Sequence, residues 1–170
     1  MPIRWNVFSV IAFASLVSLS LLGGCRPPTA DQPAGQDGWL TGDAQDKFDT
    51  VARHLRGFDA AMVETGYRFT ELHWAGHDEN WPYADYQIEK LRLAVENGIE
   101  RRPARAASAE EFFRMGLAPM EEAVAAEDRE QFLEQFEALR AQCMFCHLAE
   151  EVPFITVVTP TRRLYPTGAD

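Results

Sequence analysis

The chain has 170 residues, 46% of them hydrophobic, enough for one ordinary domain with a buried core. Against 16 Lys and Arg stand 26 Asp and Glu, for a net charge of −10, and the basic residues form no stripe or run, which excludes a nucleic-acid-binding surface. With 3 Cys in all, a disulfide-dense scaffold is excluded as well.

Residues 1–25 read as a leader rather than as part of the fold. Arg4 supplies a positive start, residues 5–22 carry no charge and are mostly apolar or small, and Leu22-Gly23-Gly24-Cys25 follows. The apolar run is long enough to raise the question of a membrane span. Against that, small residues precede Cys25 and no positive cluster follows to stop transfer. Leu22-Gly23-Gly24-Cys25 resembles the lipobox of bacterial lipoproteins, which implies export, cleavage before Cys25, lipidation of that Cys and a membrane anchor. Loss of Arg4 with the leader makes the mature chain one unit more negative. Arg26 follows Cys25 where an Asp would signal retention at the inner membrane in some bacteria, which points to the outer membrane. Residues 26–42 begin with a Pro-, Gly-, Gln- and Asp-rich stretch without apolar periodicity and read as a flexible tether. Residues 43–170 are then the folded domain.

A first helix is expected over residues 43–76, where Phe48, Val51, Leu55, Phe58, Met62, Thr65, Phe69 and Leu72 recur every three or four residues as a core stripe. Gly76 is a natural stop and Asn80 a natural cap for the second helix, with Pro82 in its first turn, Ala84, Ile88, Leu91 and Val95 on one face, and Asn97-Gly98 at its end. A charged connector containing Pro103 leads to a third helix. Ser108 and Glu111 offer it a capping box, and Pro119 is expected to kink it at the Met115 carbonyl. Asp128 caps a fourth helix, along which Phe132, Phe136, Leu139, Cys143 and Cys146 follow at spacings of four, three, four and three. Pro153 closes it, and residues 154–158, apolar and β-branched but isolated, read as an extended strap. The fold class is therefore all-α, an antiparallel up-down four-helix bundle with a C-terminal extended strap.

Cys143-Met144-Phe145-Cys146-His147 carries the chemistry. In a Cys-x-x-Cys-His run each thiol adds to one vinyl group of haem, and the following His binds the iron from below. The motif uses every cysteine other than Cys25, lies on the core stripe of its helix, and belongs to an exported chain, as covalent haem attachment requires. Three other uses fit less well. A Cys143–Cys146 disulfide closes too short a loop to stabilise much. A redox dithiol usually opens a helix, whereas this pair ends one. Zinc wants four ligands, and no second pair at metal spacing exists.

A four-helix bundle with this motif near its C-terminus resembles the class II, cytochrome c′-type, c-type cytochromes, and among them a group of small exported proteobacterial proteins. Leu72-His73-Trp74-Ala75-Gly76, Asn80-Trp81, Tyr86, residues 143–147 and Phe154-Ile155 followed by Pro160 carry the resemblance. It implies one covalent haem c and a haem bundle, without implying a reaction. Relatives of this type often pair as homodimers, though no separate dimer stripe is present here.

The far side of the iron decides between functions. With the first and fourth helices as antiparallel neighbours, the iron level on the first falls near residue 57, one turn either way. Phe58 fits level and stripe, and as an apolar neighbour would leave the iron five-coordinate. Met62 fits the stripe one turn away and would give a six-coordinate electron carrier. His54 fits the level at the stripe's edge. His73 and His77 read as polar groups of the turn, and Arg53 and Arg56 as solvent-facing. The expected function is electron transfer in the cell envelope with a redox partner protein, basic if it complements this acidic surface. Binding or sensing of a small gas such as NO or CO is the alternative, and a haem-free structural lipoprotein a further one. The chain is expected not to be an enzyme, peroxidase-like turnover resting on His54 alone.

Overall fold

The computed structural model describes residue 29, residues 31–165 and residue 167. Cys25 and the leader lie outside these described residues. The described chain is predominantly helical, with no strand. It forms two compact units, one ending at His54 and one beginning at Leu55. Among the described residues no helix is long and apolar enough to cross a membrane.

In the first unit the second half of the expected tether forms a small loop. Ala34 and Leu40 pair in an isolated antiparallel bridge around a 3₁₀ turn, Gln36–Gly38. Helix α1, Ala44–Leu55, starts from a reciprocal cap. The Asp46 N–H donates to Asp43 Oδ1 at 2.9 Å, and the Asp43 N–H donates to Asp46 Oδ2 at 3.1 Å.

The expected first helix is not continuous. Arg56 adopts left-handed backbone at φ 62°, which ends α1 and interrupts the phase of the stripe. Phe48, Val51 and Leu55, expected in the core, are exposed. The stripe resumes in α2, Phe58–His77, where Thr65, Phe69 and Leu72 are buried.

Helix α3, Trp81–Arg101, begins where Asn80 Oδ1 accepts from the Tyr83 N–H at 3.3 Å. It runs past its expected end at Asn97-Gly98 because Gly98 has a packing use. A Cβ there would fall 2.9 Å from that of Ala61 on α2. A 3₁₀ turn, Pro103–Arg105, leads into α4, Ala106–Phe112. The Ser108–Glu111 capping box does not form, since the chain is already helical by Ala106. The Ser108 hydroxyl instead donates to the Arg105 carbonyl at 3.0 Å and bonds Glu150. The interruption expected around Pro119 takes the form of a π-turn, Phe113–Leu117, which passes into α5, Ala118–Ala125. The wider turn accommodates a proline that has no N–H to donate.

Helix α6, Arg129–Ala149, is capped by Asp128, whose Oδ1 accepts from the N–H groups of Glu130 and Gln131 at 2.9 and 3.0 Å. The turns before α3, before α6 and after it contain Glu79, Glu127 and Glu151 in left-handed backbone. Glycine would be the cheaper residue at such positions, and its absence there is why composition alone marks these helix ends poorly.

The core of the second unit lies between α2, α3, α5 and α6. Leu72, Ile88, Leu91, Leu117, Met120, Phe132, Phe136 and Leu139 are almost wholly buried. Tight contact is built in at Gly76, where an added Cβ would fall 2.1 Å from the Phe132 ring. Buried Glu71 accepts from the Tyr83 hydroxyl at 2.8 Å, and burial and this carboxylate push Tyr83 up to about 12. Beyond α6 the chain is irregular. Of the apolar residues 154–158 only Val157 packs on the core, while Phe154, Ile155 and Val158 are exposed.

Candidate haem-attachment site

Helix α6 delivers three of the predicted residues to one place. Cys143, Cys146 and His147 lie on its last two turns, half-buried, and all three line a cavity of about 540 Å³. That volume lies within the range of about 300–1,000 Å³ typical of sites for one cofactor-sized ligand. All of its described lining residues belong to the second unit. From α2 come Phe58, Met62, Thr65, Gly66, Phe69 and Thr70, and from α3 and α4 come Val95 and Phe112. The segment after α6 closes a further side with Val152, Ile155 and Val157, and Asp59, Arg105 and Glu150 supply charge.

Phe58 and Met62 are thus brought to the same cavity as the cysteine motif. His54 belongs to the other unit, where its ring packs edge-on against Trp39 at 5.1 Å. The α2 wall extends to Thr70, well beyond the one-turn window around residue 57. Sequence reasoning missed Thr65, Gly66, Phe69 and Thr70 as wall residues, although their spacing on the apolar face was there to be read. Arg105 and Glu150 had no such signal. They meet as an ion pair, and Glu150 also bonds Ser108.

The electrostatics of the two thiols differ. Burial, and then the neighbouring Cys146, push the Cys143 thiol up to about 12. Burial also raises Cys146, with the Ser108 hydroxyl and the Arg105 charge working against it. Both are therefore protonated near neutral pH, the reverse of the low-pKa thiols of reactive dithiol centres. Among the described residues no group of three or more His, Cys, Asp or Glu is arranged to hold a metal ion.

His147 is oriented by the chain that follows it. Its Nδ1 lies 2.7 Å from the Ile155 carbonyl oxygen. A carbonyl only accepts, so Nδ1 carries a proton, and in the neutral ring it is Nε2 that has the lone pair. Donation from one ring nitrogen to a backbone carbonyl, leaving the other as a ligand, is how metal-binding histidines are held. The same segment is pinned elsewhere. The Val157 N–H donates to Met144 Sδ at 3.0 Å, Arg140 donates to the Val157 carbonyl at 3.3 Å, and Thr159 bonds Glu137.

On the α2 wall the polar groups are spent locally. The Thr65 hydroxyl donates to the Ala61 carbonyl and the Thr70 hydroxyl to the Gly66 carbonyl, both at 2.9 Å. His73 lies beyond the cavity, buried between Trp74 and Phe136, with its Nδ1 unpartnered. Burial and the neighbouring His77 hold it below the ordinary histidine value. It is a core residue rather than a group of the turn. His77, in the last turn of α2, is exposed. Arg53 and Arg56 are exposed as expected, Arg56 pairing with Asp59.

Comparison of the chain with protein-family models, with curated proteins and with solved structures gives no match.

Proposed function

We propose that the chain is an exported mono-haem c-type cytochrome that transfers electrons in the cell envelope, its domain an antiparallel up-down four-helix bundle. The observation that carries this reading is the convergence of Cys143, Cys146 and His147 on one apolar cavity of about 540 Å³. Such a haem needs two thiols on one side of a helix, an imidazole nitrogen free for iron, and an apolar enclosure. The residues present fit all three.

Cys143 and Cys146 would each form a thioether with a vinyl group, and His147 would be the proximal ligand through Nε2. Bound there, the haem supplies an iron that gains or loses one electron. The chain's own part is to hold it. The Ile155 carbonyl fixes the His147 ring and its Nδ1 proton, Phe58 and Phe69 would shield the haem from water, and Met62 among the described wall residues offers a thioether for the far side of the iron. The excess of acidic over basic residues would steer a basic redox partner toward the molecule. Lipidation at Cys25 would keep it on the outer membrane facing the periplasm, the first residues after Cys25 acting as tether.

Small-gas binding is a second reading, favoured by a far wall of Phe58, Phe69 and Thr side chains whose hydroxyls are already engaged. An optical spectrum of the reduced full chain, produced with c-type maturation factors and then exposed to CO, separates the two. A low-spin spectrum indifferent to CO supports electron transfer with Met62 as ligand. A high-spin spectrum that CO converts supports gas binding. A colourless chain overturns both.

A further inference from the structure

The helices of the second unit contain glycines, and a side chain added at each would meet a different environment. At Gly76 an added Cβ falls 2.1 Å from the Phe132 ring, and at Gly98 it falls 2.9 Å from Ala61. At Gly116 it falls 3.1 Å from Gln142. Close packing accounts for the first two and favours the third. Gly66 is unlike them, because a Cβ there has no neighbour within 4 Å.

Gly66 lies inside the 20-residue α2, where glycine weakens a helix relative to alanine. It has no left-handed backbone to justify it. It does line the cavity, on the face that also carries Met62 and Thr70. Neither packing nor backbone conformation explains the residue, which is exposed where it borders the cavity, so that an added side chain would stand in open space at the cavity's edge.

We propose that Gly66 is a positioning residue for the haem, a notch in the α2 wall against which the flat macrocycle rests. The inference rests on reading the cavity as a haem site. A planar ring at van der Waals distance from helix backbone, about 3.5–4.0 Å, leaves no room for a Cβ between them. The Thr70 hydroxyl donates to the Gly66 carbonyl at 2.9 Å, so that carbonyl is engaged at the notch. The notch thus presents an apolar, close-approach surface, as a porphyrin face requires.

The proposal predicts effects of opposite sign with and without haem. Wild type, Gly66→Ala and Gly66→Leu are made as full chains, with and without c-type maturation factors. Covalent haem per chain, the position of the main absorption band and the melting temperature are recorded. Without haem, Gly66→Ala melts about 3 °C above wild type, because the helix gains and nothing is hit. With maturation, Gly66→Leu carries several-fold less covalent haem, and Gly66→Ala shows a displaced band and gains less in melting temperature from the haem than wild type does. Circular dichroism checks that the Leu variant is folded, and if it is not, the Ala variant's displaced band decides. Wild-type loading and an unchanged band in both variants overturn the notch while leaving the haem reading intact. A colourless wild type overturns the haem reading, and the notch with it.

Discussion

The two halves of α2 are built to different standards. From Leu72 to Gly76 the helix is packed solid, with Leu72 and Ala75 buried and Gly76 pressed on Phe132. From Phe58 to Thr70 its inner face borders a cavity, Phe58 and Met62 are only half-buried, and Gly66 is exposed. Helix α6 repeats the contrast. Phe132 and Phe136 fill the solid end, and Cys143, Cys146 and His147 line the hollow one. Stability is thus concentrated at one end and space at the other, and the space lies where the thiols are.

The strongest way to break that comparison is at the solid end. Phe132→Ala removes a side chain with no exposed surface and should cost about 3–5 kcal/mol in urea unfolding of the haem-free chain. Gly76→Ala should cost about 1–3 kcal/mol by overpacking against the Phe132 ring, the opposite sign to alanine at Gly66. At the hollow end, Phe58→Ala or Met62→Ala in the haem-free chain should cost less than about 1.5 kcal/mol, because these side chains border space already present. Equal losses at the two ends would dissolve the contrast.

The smallest expected effect is one of pH. In the haem-free chain the folded state holds the Cys143 proton up to about 12, against an ordinary thiol value of 9.0. Above the ordinary value the unfolded chain gives up that proton and the folded chain keeps it, so stability falls as pH rises from there. The urea midpoint should decline on raising the pH above 9.0, and Cys143→Ala should blunt the decline.

Much of this was legible in the amino-acid sequence. The Cys143–His147 motif, its place at the end of a helix, the caps at Asn80 and Asp128 and the buried faces of α3 and α6 all follow from spacing and residue type. The break at Arg56 was not, because a left-handed arginine leaves no compositional mark and the apolar stripe runs through it in phase. Gly98 misled for the converse reason, reading as a stop when it serves a close approach to Ala61. The carbonyl that orients His147 comes from Ile155, and a backbone group has no signature in a sequence at all.

The central claim is most directly tested by the mass and colour of the full chain after production with c-type maturation factors, denaturation and extraction of any loosely bound haem. The account predicts one haem retained per chain, and its loss when Cys143 and Cys146 are both replaced by Ala. A wild-type chain that remains colourless at its unmodified mass, with both thiols free to alkylation, would contradict it.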